Sequence, residues 1–302
     1  MRKKNKTQPA LLVADGGSTK TDWCLLTPET GRIHFRTRGL NPVMLGLREL
    51  CGILQTELLP PLASHLQISG RDLSVHYYGA GCLPSVCRKM EEAITTTVPN
   101  SSARIYSDLL GAARALCGHE AGIACILGTG SNSCRYDGTN IIQHVPSLGY
   151  ILGDEGSGTA LGKRLIADWL KGLLAPELTR LLNENTGWNE TDIIRKVYRE
   201  QEANRFLASF TPFLAAHRTH PDIHRILTDC FRAFFERNIL AYRSEQLPVH
   251  FVGSIATIFH EELEQTAETY SIKIGLILQD PITRIADFHL QEADNNDRMK
   301  TF

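Results

Sequence analysis

The sequence predicts an α/β protein in which one structural unit occurs twice. Strand-like runs alternate with amphipathic helical segments, the pattern expected of sheets flanked by helices. A strand, a glycine-rich turn and a second strand follow one another at Ala10–Thr27 and again at Gly122–Tyr136, about one domain length apart. The 302 residues are enough for about two domains. We therefore expect a duplicated α/β architecture.

The first part of the chain is predicted to form a strand meander that leads into alternating helices and strands. Pro60 and Pro61 are expected to interrupt or end the first long amphipathic segment, because proline lacks an amide hydrogen. The predicted strands are Ala10–Ala14, Thr21–Thr27, Arg32–Thr37, Ser74–Tyr78 and Ala103–Tyr106. The predicted helices are Leu45–Leu66, Pro84–Thr96 and Leu109–Cys117.

The second part repeats the meander and then becomes mostly helical. Apolar residues at spacings of three and four predict the helices Thr159–Leu174, Glu190–Glu200, Asn204–His217 and Pro221–Ser244. The predicted strands are Gly122–Leu127, Asn132–Tyr136, Ile141–His144, Val249–Val252 and Ile274–Leu278. A helix from Gly253 to about Tyr270 and a last helix Pro281–Leu290 follow, and the polar stretch Glu292–Phe302 is expected to be frayed.

Composition and charge narrow the classes of partner. The chain has 32 basic and 33 acidic residues, so no overall field favours nucleic acid or an anionic membrane. Its 8 cysteines form no CxxC pair and are expected to be reduced and mostly buried. No apolar run approaches the roughly 20 residues that span a bilayer, and Met1–Gln8 lacks the apolar core of a secretion signal. A cytoplasmic protein is expected.

The first glycine turn, Asp15–Thr21, has the composition of a phosphate-binding hairpin. Glycines allow close approach of the backbone, hydroxyls donate hydrogen bonds, and a lysine supplies positive charge. The candidate phosphate contacts are Gly16, Gly17, Ser18, Thr19 and Lys20. Asp15 is the candidate ligand of a hydrated Mg²⁺, because its carboxylate would repel bare phosphate. A tight hairpin with an acidic turn residue is the alternative.

The second glycine turn predicts another phosphate contact. Its candidate residues are Gly128, Thr129, Gly130 and Ser131. A structural hairpin is again the alternative, but two such turns, each after an apolar strand, favour two jaws around one polyphosphate.

Asp108 is the candidate general base. It follows the strand Ala103–Tyr106 and precedes a helix, at the edge where α/β proteins gather ligands. A carboxylate there can accept the proton of an alcohol that attacks the γ-phosphorus. The alternative is that Ser107 or Asp108 caps the helix.

Further candidate contacts lie in three other segments. Gly149–Gly158 combines glycines with Asp154 and Glu155, which can accept hydrogen bonds from sugar hydroxyls or cap the next helix. Asn41 and Asn132 are weaker candidates for sugar contacts, since either can be a turn residue. After a predicted strand, small residues that begin a helix leave room for adenine or ribose, and these are Gly253, Ser254 and Ala256.

Taken in order, these segments resemble the BadF/BadG/BcrA/BcrD ATPase family, nearest to its N-acetylglucosamine kinase branch, within the sugar kinase, heat-shock ATPase and actin superfamily. Gly-Thr-Gly-Ser-Asn followed by Gly-Asp-Glu-Gly-Ser is the most specific part of the resemblance. It implies two RNase H-like, actin-like ATPase domains with mixed sheets and a cleft between them. Residues 1–117, joined by the C-terminal helix 281–302, would form one domain, and residues 118–280 the other, with helical insertions.

The resemblance implies an ATP-dependent kinase that phosphorylates an amino sugar such as N-acetylglucosamine, at its C6 hydroxyl, with Mg²⁺ as cofactor. In similar kinases the positions of Asn41, Asn132 and Asp154 bind the amino sugar, and that of Asp108 is the general base. N-acetylmuramic acid and glucosamine are alternative substrates, and a homodimer remains open. The rival functions are an ATPase that activates a reductase or dehydratase and a sugar-sensing module without catalysis.

Overall fold

The computed structural model describes residues 10–27, 31–65, 72–243 and 246–299. Met1–Gln8, the predicted helix ends Leu66 and Ser244, and residues 300–302 of the last predicted segment lie outside this description. The chain divides into two compact units. The first runs to Gly118 and resumes at Pro281, and the second is His119–Asp280.

The first unit contains a five-stranded mixed sheet in the order β3-β2-β1-β4-β5. Strands β1, β2 and β3 form an antiparallel meander, whereas β4 and β5 run parallel to β1. The strands are β1 (Ala10–Gly16), β2 (Lys20–Thr27), β3 (Gly31–Arg38), β4 (Leu73–Gly79) and β5 (Ser101–Ser107).

The second unit repeats this topology, with its five strands in the order β10-β9-β6-β7-β8. Here β6, β7 and β8 form the antiparallel meander, and β9 and β10 run parallel to β6. The strands are β6 (Gly122–Leu127), β7 (Ser131–Tyr136), β8 (Ile141–Val145), β9 (Val249–Val252) and β10 (Ile274–Leu278). The duplication predicted from two glycine turns is therefore confirmed at the level of strand order.

Helices flank both sheets. In the first unit they are α1 (Leu47–Ile53), α2 (Leu59–His65), α3 (Pro84–Thr97), α4 (Asp108–Cys117) and, after the second unit, α14 (Ile282–Met299). In the second unit they are α5 (Gly149–Leu152), α6 (Gly158–Leu170), α7 (Pro176–Thr186), α8 (Glu190–Tyr198), α9 (Ala203–Ala208), α10 (Thr211–Ala216), α11 (Pro221–Phe234), α12 (Ser254–Ile258) and α13 (His260–Glu268). Phe235–Ile239 is a π-helical turn and Leu240–Tyr242 a 3₁₀ turn.

Several predicted helix boundaries were wrong. Pro60 and Pro61 do not end the helix, because they lie in the first turn of α2 and the π-helical turn Leu54–Leu58 before them supplies continuous backbone bonding. The stretch from Asn204 to His217 is two helices, α9 and α10, rather than one. The polar residues after Glu292, expected to be frayed, continue α14 to Met299.

The core of the first unit lies on both faces of its sheet. Alternation along β1 sends Leu12 and Ala14 to one face, and Val13 packs on the other against Ile285 of α14. A strand that is buried on both faces reads as a continuous apolar run, which is why β1 is evident in the sequence. None of the helices that the structure describes is long and apolar enough to cross a membrane.

Candidate active site

The first glycine turn joins β1 and β2 as an antiparallel hairpin, as predicted. Inside the turn, the amide of Gly17 donates to the carbonyl of Lys20 at 2.8 Å. Gly16 lies against Tyr77, and any side chain at position 16 would overlap the phenol hydroxyl. Only glycine therefore fits at position 16. The tip of the turn, Ser18–Thr19, is exposed and open to a ligand.

Lys20 already has an acidic partner within the first unit. Its ammonium group lies 2.8 Å from Asp22, which also pairs with Arg36 at 2.6 Å. Burial opposes ionisation of Asp22, but the two basic partners outweigh burial and lower its pKa. Asp22 thus neutralises part of the positive charge that the sequence analysis assigned to phosphate.

The segment after β3 lies on the tip of the first turn. The Gly39 amide donates to the carbonyl of Thr19 at 2.9 Å, and a side chain on Gly39 would overlap the backbone of Ser18. The side-chain amide of Asn41 donates to the Ser18 hydroxyl at 2.9 Å. Gly81, at φ +75°, approaches Asn41 so closely that a Cβ would overlap its amide oxygen. The predicted phosphate turn and the predicted sugar contact are therefore direct neighbours.

Asp108 is the first residue of α4, and Ser107 is the N-cap. The Ser107 hydroxyl accepts a hydrogen bond from the amide of Leu110 at 3.2 Å. Oδ1 of Asp108 accepts one from the amide of Leu109 at 2.8 Å. Because Ser107 takes the capping role, the fold does not require the Asp108 carboxylate to serve as the N-cap.

Asp15 and Asp108 lie at the same edge of the first sheet. Gly16, Gly79 and Ser107 align across the parallel strands β1, β4 and β5, so their carboxyl ends are level. Asp15 precedes Gly16 and Asp108 follows Ser107, about two strand spacings away, or roughly 10 Å. The carboxyl edge of a parallel sheet is where α/β proteins bind ligands.

Tyr77 is a buried neighbour of both carboxylates. Its hydroxyl donates to the carbonyl of Leu40 at 2.8 Å. Burial raises the pKa of Tyr77 well above its usual range, and the charges of Asp15 and Asp108 contribute to the rise. Burial also raises the pKa of the Cys82 thiol to about 12, again with a contribution from Asp108. The phenol and the thiol are therefore protonated at neutral pH.

The second glycine turn joins β6 and β7 as a hairpin, also as predicted. The amide of Gly128 donates to the carbonyl of Gly130 at 2.9 Å. The start of α6 supports the turn from outside: the Gly158 amide donates to the Gly128 carbonyl at 2.9 Å, and the Thr159 hydroxyl to the Thr129 carbonyl at 2.6 Å. These bonds occupy turn carbonyls, so amide hydrogens are the groups this turn can offer to an anion.

Asp154 closes the second turn from the loop that precedes α6. Its Oδ1 accepts a hydrogen bond from the amide of Ser131 at 3.1 Å, and its backbone has φ +56°. Burial raises the pKa of Asp154, with Glu155 adding to the rise and the Ser131 amide and Lys163 opposing it. The sequence analysis predicted Asp154 to be a sugar contact, and in the structure its carboxylate bonds to the backbone of the second glycine turn.

The other two predicted sugar contacts of the second unit are held by neighbours. Glu155 pairs with Arg237 at 2.9 Å. The side-chain oxygen of Asn132 accepts from the amide of Ser133 at 3.0 Å and lies 2.9 Å from Nε2 of His144. A ligand at either residue would share the side chain with these partners.

The segment Gly253–Ala256 adjoins the second turn. Gly253 is the N-cap of α12 at φ +123°, and a side chain there would overlap the carbonyl of Leu127. Ser254 is exposed, whereas Ala256 is fully buried. Of the three candidate residues, Ser254 therefore presents its side chain to solvent, and Ala256 contributes small size alone.

Each unit thus gathers its own predicted residues. In the first unit, Asn41 contacts the turn, and Asp108 lies at the same carboxyl edge of the sheet. In the second unit, Asp154 and Gly253 both contact the turn. Sequence reasoning missed the residues that support these groups: Gly39, Tyr77, Gly81, Thr159 and Arg237. The glycines in Arg-Gly-Leu-Asn and Tyr-Gly-Ala-Gly, each directly after a strand, are the signal that could have found two of them.

Similarity to solved structures covers nearly the whole chain. A putative N-acetylglucosamine kinase from Porphyromonas gingivalis is 41% identical over 92% of this chain and 98% of its own length, with a TM-score of 0.87. A putative N-acetylglucosamine kinase from Chromobacterium violaceum is 19% identical over 93% of this chain and 98% of its own, with a TM-score of 0.70. No family model and no curated protein matches the chain.

More distant structures share the fold alone. MreB 5 of Spiroplasma citri, whose structure contains AMPPNP, is 8% identical over 97% of this chain and 99% of its own, with a TM-score of 0.58. MreB 5 and the two putative N-acetylglucosamine kinases have the actin-like ATPase fold, with mixed sheets flanked by helices, and the present chain shares it. The predicted fold class is thereby confirmed.

Proposed function

This chain belongs to the N-acetylglucosamine kinase-like branch of the BadF/BadG/BcrA/BcrD ATPase family, and we propose that it transfers the γ-phosphoryl group of ATP to the C6 hydroxyl of N-acetylglucosamine. The observation that carries this proposal lies in the first unit. Three features lie at the carboxyl edge of one sheet: a hairpin of the phosphate-binding type, the candidate sugar contact Asn41 and the carboxylate of Asp108. These are the parts that phosphoryl transfer to an alcohol requires.

Each glycine turn is assigned a phosphate contact within its own unit, and the start of α12 is assigned the adenosine contact. The side chains of Ser18, Thr19 and Lys20 in the first turn, and the amides of Thr129 and Gly130 in the second, would bind phosphate oxygens. The amides of Gly17, Gly128 and Ser131 donate inside the protein instead. Gly253–Ala256 would leave space for the adenosine. Asp15 fits a hydrated Mg²⁺, which takes one or two carboxylates and keeps several waters. When bound, ATP supplies the phosphoryl group and Mg²⁺ neutralises charge on its oxygens.

Asp108 is assigned as the general base. Its Oδ1 accepts a hydrogen bond from the amide of Leu109, and a carboxylate has acceptor capacity beyond one such bond. As the sugar hydroxyl oxygen attacks the γ-phosphorus, the proton of that hydroxyl would pass to the Asp108 carboxylate. Tyr77 and Cys82 remain protonated, and neither is a base at neutral pH.

The choice among amino sugars rests on the charges of the second unit. N-acetylmuramic acid carries a lactyl carboxylate and would need a cation near the sugar. Arg237, the arginine that pairs with the candidate Glu155, is neutralised by that pairing. N-acetylglucosamine has no such requirement, and it is the sugar named for the relative that is 41% identical.

A test of the function is ADP release from purified protein with ATP, Mg²⁺ and a panel of N-acetylglucosamine, glucosamine, N-acetylmuramic acid and glucose. N-acetylglucosamine should give the highest kcat/KM, and a 6-deoxy analogue should give no phosphorylated product. ADP release that no sugar stimulates would contradict the proposal.

Asp108→Asn tests the base in the same assay. The variant should lower kcat by about 10²–10⁴-fold while ADP binds with unchanged affinity. Asp222→Asn is the matched control, since Asp222 also lies in the first turn of a helix and accepts a backbone hydrogen bond, from Ala175 at 2.8 Å. Equal activity of the Asp108 variant and the control would rule out the assignment.

A further inference from the structure

The hydrogen bond from the Asn41 side chain to the Ser18 hydroxyl joins two predicted subsites through one contact of 2.9 Å. We infer that Ser18 is a positioning residue that couples the two substrates, so that phosphate on the first turn orients Asn41 for the acceptor sugar. This inference rests on the proposed function, because it takes the turn as a phosphate site and Asn41 as a sugar contact.

Backbone contacts fix the position of Asn41 relative to Ser18. The Gly39 amide donates to the carbonyl of Thr19, and the absence of a side chain at Gly39 lets the strand end touch Ser18 itself. On its other side Asn41 meets Gly81, whose positive φ and missing side chain leave just enough room for the amide. A displacement of the turn tip would therefore move Asn41, since packing on both sides restricts other responses.

Asn41 keeps capacity for a ligand while it holds these contacts. A side-chain amide can donate two hydrogen bonds and accept two. One N–H goes to Ser18, and the oxygen accepts one bond from the amide of Val43 at 3.0 Å. One N–H and one lone pair remain, which suits a hydroxyl or an acetamido group of a sugar.

The Ser18 hydroxyl can accept one hydrogen bond and donate another at the same time. It accepts from Asn41, and a hydroxyl that accepts can also donate its own hydrogen to an anionic oxygen. Donation to phosphate makes the hydroxyl oxygen a better acceptor, because hydrogen bonds in a chain polarise one another. Phosphate on the turn would thus strengthen the bond that orients Asn41.

The test measures N-acetylglucosamine binding by calorimetry, with and without saturating AMPPNP and Mg²⁺. In the native protein the analogue should tighten sugar binding by about 5-fold or more, a typical coupling between two sites. In Ser18→Ala the two dissociation constants should agree within about twofold, since the loss of one such bond removes coupling of this size. Ser102→Ala removes an exposed hydroxyl at the far end of β5 from Asp108 and should keep the native ratio, and Ser18→Thr should also keep it.

A second readout needs no sugar. In protein labelled with ¹⁵N-asparagine, AMPPNP should shift the side-chain amide resonance of Asn41, which Asn41→Asp identifies by its disappearance. The shift should be lost in Ser18→Ala and retained in Ser102→Ala. The coupling is overturned if AMPPNP shifts the Asn41 resonance in Ser18→Ala as much as in the native protein. It is also overturned if the native protein binds sugar with the same affinity with and without AMPPNP. Absence of sugar binding under all conditions instead overturns the proposed function, and the coupling of sugar to nucleotide with it.

Discussion

The carboxylate of Asp154 accepts a hydrogen bond from the backbone amide of Ser131, although the two residues are 23 positions apart and Asp154 lies in the left-handed region of backbone conformation. A loop residue thereby fixes one end of the second glycine turn. Burial makes ionisation of this carboxyl unfavourable and raises its pKa.

Asp154→Ala should destabilise the protein by about 1–3 kcal/mol, because it leaves the buried Ser131 amide without its acceptor. Asp154→Asn should cost less, since an amide oxygen can accept the same bond and a charge that burial disfavours is removed. Urea unfolding at neutral pH measures both changes. If the asparagine variant loses as much stability as the alanine variant, the hydrogen bond is not what holds the turn.

Lys20→Met should weaken ADP binding by about 10-fold, the effect of losing about 1.4 kcal/mol from a charge-assisted contact with phosphate. Stability should change little, because Arg36 still pairs with Asp22. The matched control is Arg36→Met, which removes the other partner of the same carboxylate. ADP affinities measured by calorimetry should separate the two variants, and equal losses would point to Asp22 rather than to Lys20.

Gly81→Ala should lower thermal stability and raise the KM for sugar more than Gly31→Ala does, although the two glycines have nearly the same φ, +75° and +69°. Both variants carry the backbone strain of about 1 kcal/mol. At Gly81 the new methyl group also overlaps the oxygen of Asn41, whereas at Gly31 none of the residues that the structure describes comes within 4 Å of it. Thermal unfolding and the KM for sugar should both show the difference, and equal KM values would remove Asn41 from the sugar site.

Two buried histidines lie in contact on the opposite face of the first sheet from Tyr77. The rings of His76 and His289 are 3.9 Å apart between centroids, and Tyr78 bonds to His289 at 2.8 Å. Burial lowers the pKa of His76 to about 4 and that of His289 to about 2. Arg114 contributes to both shifts, while Glu292, at 3.3 Å from His289, does not offset them.

The first unit should lose stability as the pH falls below 6.5. Both folded-state pKa values lie below that of an unfolded histidine, so the stabilisation is complete above about pH 6.5 and declines as the pH falls toward 4. For His76 the loss between pH 7 and pH 5 should be about 2 kcal/mol. Hydrogen exchange of β4 amides in urea measures it.

His76→Phe keeps a ring in place and should remove about half of this pH dependence, because His289 still titrates. His260→Gln, at an exposed position, should leave the native dependence intact. An unchanged profile in His76→Phe would mean that other groups titrate in this range.

Both hairpins and the repeated strand, turn and strand unit followed from the sequence because their signals are local. Apolar runs such as Ala10–Ala14 and the glycines behind them depend on neighbours in the chain, and so do the positions of Asp15 and Asp108 at strand ends. Pairing of Lys20 with Asp22, two residues away on the same strand face, is also a local feature that the analysis did not use.

The supporting contacts were beyond the reach of sequence reasoning, because they join distant segments. Whether Glu155 is open to a sugar depends on Arg237, 82 residues later, and whether Asn41 points to solvent depends on Ser18 and Gly81. The continuation through Pro60 and Pro61 has a different cause, since a π-helical turn is set by tertiary packing rather than by residue preference.

The first unit is assembled from both ends of the chain, and α14 supplies Ile285 and Ala286 to one face of its sheet. A ribosome would release the whole of His119–Asp280 before it had synthesised that helix. The second unit can therefore acquire its native contacts during translation, whereas β1 must wait, with Val13 uncovered, until α14 has been synthesised. The apolar face of β1 is therefore exposed for longer during synthesis than the core of the second unit.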